Sequence, residues 1–287
     1  MTPSWGCVVL TQGQRPDALA AALGSVLRQR GTDVEIVVVG NGWVPTGLPA
    51  GVLTAALPVN VGIPAGRNAG VPLVRGELLA FVDDDAQFRD DDALLHLERL
   101  FAADATLGLV QPRVIDPDGR PAPRRWVPRL RVGDPGRSSD VTAVWEGVVA
   151  LRRSSWKAAG GWAGEFFYAH EGIDLAWAVW DAGSRVRYIA DVTVLHEAND
   201  PGRFPHRDRL SARNRVWLAR RRLPWPCNVL YPMVWLVLTG ARLRSVSALS
   251  DVLRGTAEGL RHAPALRQPM SWQTVWRMTR AGRPPVI

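Results

Sequence analysis

The sequence predicts an α/β fold: a mostly parallel sheet flanked by helices, followed by a basic helical extension. Three observations carry this. Over residues 1–200, short apolar runs of strand length alternate with helical stretches that have one apolar stripe, the pattern of β-α-β units. One of these runs, Leu79-Ala80-Phe81-Val82, ends on three adjacent acids, Asp83-Asp84-Asp85. From Pro201 onward the pattern turns helical, rich in Arg and punctuated by Pro.

Taken in order, residues 5–11 form a first buried strand, and residues 16–29 a helix with Leu19, Ala22, Leu23, Val26 and Leu27 on one stripe. Gly31 ends that helix, and residues 35–39 form a second strand, so the unit predicts parallel pairing with a right-handed crossover. Gly40-Asn41-Gly42 is the turn after it. A Gly/Pro-rich loop runs to Pro49, and residues 52–57 form a short strand. Asn60 to Gly70 is a loop and a helix start. After the acidic strand come a helix over 91–102 and a strand over 108–112. Residues 117–136 form a Pro/Arg-rich excursion, expected as a mobile loop or hairpin. A strand is expected over 142–151, with Trp145-Glu146-Gly147 at its start, then a short helix over 154–159 broken by Gly160-Gly161. A helix starts at the His170-Glu171-Gly172-Ile173-Asp174 segment, and a last strand over 186–195 ends at His196. The chain has no internal repeat.

At 287 residues, 47% hydrophobic and 22% charged, the chain has material for one large domain, or one domain plus an extension. Cys7 and Cys227 lie far apart in apolar company and read as reduced, buried thiols. Residues 1–200 hold 19 Lys and Arg against 24 Asp and Glu; residues 201–287 hold 16 Arg against 3 acids. So basic a tail should meet something anionic, phospholipid or nucleic acid. The basic charge is confined to the tail and no nucleic-acid motif is present, so no nucleic-acid partner is expected. No basic region precedes the first apolar run, so no signal peptide is expected. The apolar stretch 225–240 contains Pro226 and Pro232 and is shorter than a spanning helix. With Arg213, Arg215, Arg220, Arg221 and Arg222 beside Trp225, Tyr231 and Trp235, the tail reads as an interfacial membrane anchor; the alternative is a helical cap on the body with a solvated Arg face.

Three adjacent carboxylates repel one another. A divalent cation is the usual reason to keep them together, and hard ions such as Mg²⁺ or Mn²⁺ take oxygen ligands. Asp83 and Asp85 can point to one side while Asp84 points away, at the carboxyl end of a strand, where open α/β sheets bind ligands. The plainer alternative is an acidic turn capping the next helix. Glu171 and Asp174, three apart, share one face of a helix start, where the helix dipole alone favours acids.

In their order along residues 5–200, these segments resemble the inverting family 2 glycosyltransferases of the GT-A (Rossmann-like) fold. The matching residues are the first strand into Thr11, Val38-Val39-Gly40-Asn41-Gly42, Asn60-x-Gly with Arg67-Asn68-x-Gly70, and Phe81 to Asp85. They continue with Gly147, Arg152-Arg153, Gly160-Gly161-Trp162, Glu165-Phe166-Phe167, Glu171-x-x-Asp174 and His196.

The resemblance implies a catalytic domain over 1–200, with a donor half 1–115 and an acceptor half 116–200, ahead of the extension 201–287. It implies a sugar moved from a UDP-, dTDP- or GDP-sugar to a hydroxyl of a glycan or lipid-linked acceptor of the cell envelope. Asp83, Asp85 and His196 would hold Mn²⁺ or Mg²⁺. Thr11, Arg15, Asn41, Arg67, Asn68, Asp83 and Asp84 would bind the donor. Trp145, Glu146, Gly147, Trp162, Phe167 and His170 would meet the acceptor, and Glu171 or Asp174 would take its proton. The expected place is the cytoplasm, with a peripheral contact on the anionic inner face of the membrane. The chain departs from the family twice. Gly40 stands where an Asp usually reads the base, and Gly172 stands where an Asp usually serves as the proton acceptor. The second departure leaves a catalytically impaired, sugar-nucleotide-binding protein as the alternative. A nucleotidyltransferase is disfavoured, because Thr11 to Arg15 carries one Gly where such enzymes have a Gly-rich loop.

Overall fold

A computed structural model describes residues 4–198, 206–243 and 245–286. The expected domain boundary at 200/201 lies outside the described residues. The described chain runs β1 (Trp5–Thr11), α1 (Pro16–Leu27), β2 (Val34–Asn41), β3 (Leu53–Leu57), α2 (Ile63–Gly70), β4 (Leu78–Asp83), β5 (Ala86–Phe88), α3 (Ala93–Ala103), β6 (Leu107–Ile115), β7 (Ser139–Asp140), β8 (Val148–Arg152), α4 (Arg153–Ala159), α5 (Glu171–Asp181) and β9 (Arg185–His196). The tail adds α6 (Arg207–Arg222), α7 (Cys227–Gly240), α8 (Val246–Arg261) and α9 (Trp272–Arg280).

The strands form one sheet in the order β3-β2-β1-β4-β8-β6-β9-β5, with β7 beside β9. β1 to β4, β6 and β9 run one way, while β5, β7 and β8 run against them. Side chains alternate across the sheet, as the period of two demands. Cys7, Val9, Ile36, Val38 and Val82 face α1 and α3 through Leu19, Leu23, Leu94 and Phe101. Val8, Leu10, Val37, Val39 and Phe81 face the other layer, with Trp162, Leu175 and Val179, and with Leu218, Tyr231 and Met278 from the tail.

Three expectations change. The strand expected over 142–151 begins at Val148. Val141, Ala143 and Val144 are buried and mimic a strand in composition, but residues 142–147 cross the end of the sheet, held by the Trp145 amide donating to Gln111 Oε1 at 2.6 Å. The excursion 117–136 forms no hairpin: it carries a single 3₁₀ turn, Arg124–Trp126, that sinks Trp126 completely. The three-residue β5 was not foreseen, and it positions the site. It pairs antiparallel with β9 so that Ala86 faces His196.

Candidate active site

β4 delivers Asp83 at the carboxyl end of the sheet, and the turn into β5 holds Asp84 and Asp85. Because Ala86 faces His196, the imidazole comes to rest beside Asp85, with Nε2 3.1 Å from Oδ1. One ligand atom from each of Asp83, Asp85 and His196 lies within 4.8 Å of the others. His196 Nδ1 sits 2.7 Å from the Glu197 carbonyl, which only accepts, so Nδ1 carries the proton and Nε2 turns to the acids. Two hard oxygens and an imidazole so oriented fit a divalent cation. Trp145 and Trp126 wall the imidazole edge-on, with ring centroids 4.9 and 5.7 Å away.

Asp84 turns toward β1. Thr11 Oγ1 donates to its Oδ2 at 2.6 Å, and Arg15 Nη2 to its Oδ1 at 2.5 Å, while Arg15 Nη1 bonds Asp85. Burial pushes the Asp84 carboxyl up to about 6 against these donors. Burial also opposes ionisation of Asp85, but His196 and Arg15 outweigh it and bring that carboxyl down to about 2. The cleft beside them is lined by Thr11, Gln12, Gln14, Arg15, Asn41, Asn60, Ile63, Asp83, Asp84 and Phe167.

Other expected donor contacts are committed elsewhere. Arg67 is 1% exposed, stacks on Trp162 and donates to Asp83 Oδ1 at 2.6 Å; it backs the acid from behind. Asn68 exchanges two hydrogen bonds with the backbone of Trp162, at 2.9 and 3.0 Å. Asn41 donates to Asn60 Oδ1 and the Gly62 carbonyl and accepts from the Val61 amide, so it shapes the cleft wall. Gly40 leaves no room for a side chain: a Cβ there would lie 2.0 Å from the Trp43 carbonyl oxygen.

The expected acceptor contacts divide. Trp162 is buried edge-on against Phe81 and is core rather than a sugar platform. His170 points to α6, with Nε2 3.1 Å from Ser211 Oγ, and burial, aided by Arg215, drives its pKa to about 3. Phe167 lines the cleft beside Thr11 and Asn41. Gly147 accepts the Asp83 amide at 2.8 Å, and Glu146 lies against the head of α5. There Glu171 is 1% exposed, and its carboxyl is pushed up to about 8 by burial and then by Glu146. Asp174, the other candidate proton acceptor, is fully buried and ion-paired to Arg221 and Arg222, which commits it to holding the tail.

The sequence profile described as glycosyl transferase family 2 matches residues 7–157, more than half of the chain. The chain belongs to glycosyl transferase family 2. Among curated proteins, the pre-mycofactocin glycosyltransferase of Mycobacterium tuberculosis (strain ATCC 25618 / H37Rv) is 29% identical over 174 residues, 57% of this chain and 33% of that protein. The succinoglycan biosynthesis protein ExoO of Rhizobium meliloti (strain 1021) is 34% identical over 114 residues, 36% of this chain and 32% of that one. The chain thus spans about a third of the length of the curated relatives it matches. A crystal structure of GalNAc-T7 with UDP, GalNAc and Mn²⁺ superposes with a TM-score of 0.63 at 13% identity, over 91% of this chain and 56% of that one. The mannosyltransferase PcManGT from Pyrobaculum calidifontis, in complex with GDP-Man and Mn²⁺, gives 0.57 at 16% identity over 98% and 84%. These likenesses show the fold, which is GT-A.

Sequence reasoning missed Gln12 and Gln14 in the cleft and Trp126 beside His196 within the family 2 region, and Asn214 on α6 of the tail. Asn214 had one signal, an uncharged amide in the middle of an Arg-rich helix. Trp126 had none, since it sits in a Pro/Arg segment that reads as exposed loop.

Proposed function

We propose that this chain is an inverting glycosyltransferase that moves a sugar from a nucleotide-diphosphate sugar to the hydroxyl of a glycan or lipid-linked acceptor. The observation that carries this is the convergence of Asp83, Asp85 and His196 at the strand ends, beside a cleft walled by Thr11, Asn41 and Asn60. The relatives support it: one structural neighbour holds UDP and Mn²⁺ and another GDP-Man and Mn²⁺. Asp83, Asp85 and His196 would hold Mn²⁺ or Mg²⁺, and the cation would offset charge developing on the departing diphosphate. Arg15, 44% exposed at its side chain and resting on Asp84 and Asp85, is placed to meet the same phosphates. Arg67 holds Asp83 in position, and its charge works against the burial that raises this carboxyl. A carboxylate at the head of α5 takes the proton of the acceptor hydroxyl.

The test is release of nucleoside diphosphate from UDP-, GDP- and dTDP-sugars, with Mn²⁺, Mg²⁺ or EDTA. Release that needs the metal is expected from one nucleotide class. No release from any donor, while the nucleotide still binds, would favour the impaired, binding-only reading instead.

The tail adds a partner. No helix among the described residues is long and apolar enough to cross a membrane. Yet α7 shows Leu230, Met233 and Val237 to solvent at helical spacing, α8 shows Val246, Leu249 and Leu253, and α9 shows Trp272 and Trp276. Exposed Arg207, Arg242, Arg254 and Arg261 accompany them. Apolar stripes with Arg fit the surface of an anionic bilayer, which would bring a cytoplasmic enzyme to a lipid-linked acceptor. Cosedimentation with vesicles that rises with phosphatidylglycerol content is expected; binding indifferent to anionic lipid would exclude it.

A further inference from the structure

The head of α5 holds two carboxylates with different surroundings. Glu171 is 1% exposed, and its Oε2 has no hydrogen-bond partner among the described residues. Glu146 comes from the loop that crosses the sheet end and is only partly buried. Its neighbours tie that loop to the cation-binding group: the Trp145 ring stands 4.9 Å from His196, and the Gly147 carbonyl takes the Asp83 amide at 2.8 Å. Glu146 therefore sits between two residues that each touch a member of the Asp83–Asp85–His196 group. A Cβ built on Gly172 would lie 2.8 Å from Glu146 Oε2 and 3.2 Å from its carboxyl carbon. The glycine is the space that lets this carboxylate settle on the helix head.

Two carboxylates in one buried place do not both ionise easily. The more enclosed member, which has no donor to its Oε2, keeps the proton. Burial raises both carboxyls; next in weight, the Arg67 charge works against that rise at Glu146, while at Glu171 the Glu146 charge adds to it.

We propose that Glu146, rather than Glu171, is the catalytic residue that accepts the proton of the acceptor hydroxyl. The inference rests on the glycosyltransferase reading above. As the acceptor oxygen bonds to the anomeric carbon, its proton passes to the Glu146 carboxylate. The bond from that carbon to the diphosphate oxygen breaks, and its electron pair leaves with the nucleoside diphosphate. Glu171 stays protonated beneath, so a single negative charge faces the acceptor.

The experiment uses the full chain as wild type, Glu146→Gln, Glu146→Ala and Glu171→Gln. Binding is read as the melting shift given by UDP or GDP with MnCl₂. Turnover is read as nucleotide release from UDP-glucose and GDP-mannose, with and without sodium azide. Glu146→Gln is expected to keep the shift and lose about 10²- to 10⁴-fold of the release, at least about tenfold more than Glu171→Gln loses. Azide, a nucleophile with no proton to give up, should restore release to Glu146→Ala and form the glycosyl azide. Release by Glu146→Gln within about threefold of wild type, or a greater loss in Glu171→Gln, overturns the assignment. So does loss of the nucleotide shift in both Glu146 variants, which would make the residue structural. No release by the wild type from these or any other UDP-, GDP- or dTDP-sugar removes the transferase reading itself, and the assignment with it.

Discussion

Arg222 grips Asp174 with two bonds, Nε to Oδ1 at 2.8 Å and Nη2 to Oδ2 at 3.0 Å, and Arg221 brings its Nε within 3.1 Å of the same Oδ1. Asp174 is fully buried and the two arginines nearly so. The tail helix α6 is thereby fastened to α5, the helix that carries Glu171. Removing the acid leaves the buried Arg222 guanidinium without its counter-charge and Arg221 with Glu165 alone. Asp174→Ala is expected to lose about 3–5 kcal/mol of stability, read from the urea midpoint. An unchanged midpoint with lost turnover would return Asp174 to the chemistry.

Asn214 makes a second fastening. Its Nδ2 donates to the carbonyls of Phe166, Tyr168 and Ala169 at 2.8, 2.7 and 3.0 Å. The segment it holds has Phe167, Ala169 and His170 at positive φ, which side chains rarely adopt. Asn214→Ala should cost about 1–3 kcal/mol, and should speed hydrogen exchange across residues 166–170 before the rest of the protein responds.

Glu171 adds a pH-dependent contribution to stability whose sign follows from its burial. Burial first, then Glu146, raises its carboxyl from 4.5 to about 8. The folded chain holds this proton more tightly than the unfolded chain. The stability this provides is fully present below the unfolded value and is lost as pH rises toward the folded one. Glu171→Gln, which cannot lose a proton, should melt higher than wild type, by a margin that widens from about pH 5 to about pH 8. A margin that is constant or narrows would contradict the raised carboxyl.

Gly40 is required by the fold. A Cβ there meets the Trp43 carbonyl at 2.0 Å and Pro45 Cδ at 2.8 Å, so Gly40→Ala must displace the turn that closes the end of β2. A loss of about 1–3 kcal/mol is expected, together with weaker nucleotide binding as the Asn41–Asn60 wall shifts. Calorimetric melting and nucleotide titration read the two effects.

Much of the site was legible because its signals are local. A strand of Leu79 to Val82 running into acids fixes where the ligands gather, and the ordered segments from Thr11 to His196 point to the family. What the sequence concealed depends on contacts between distant segments. β5 is three residues long, too short to show a period, yet its pairing with β9 brings His196 to Asp85. Residues 142–147 have the composition of a strand and the path of a loop, because Gln111 captures the Trp145 amide. Asn68 and Trp162 look like ligand contacts in a motif, but the structure spends them on each other. Arg209, Arg213, Arg215, Arg220, Arg221, Arg222 and Arg277 of the tail bond the protein itself, which charge alone cannot separate from an anionic partner.

The central claim is a nucleotide site completed by a cation at Asp83, Asp85 and His196. The direct measurement is the melting temperature of wild type and Asp85→Asn with UDP, GDP or dTDP, with and without MnCl₂. One nucleotide should raise the wild-type melting point by several degrees only when Mn²⁺ is present, about 2–4 kcal/mol at saturating ligand. Asp85→Asn should remain folded and lose that metal-dependent rise. An equal rise in both proteins, or one that ignores the metal, would contradict the account.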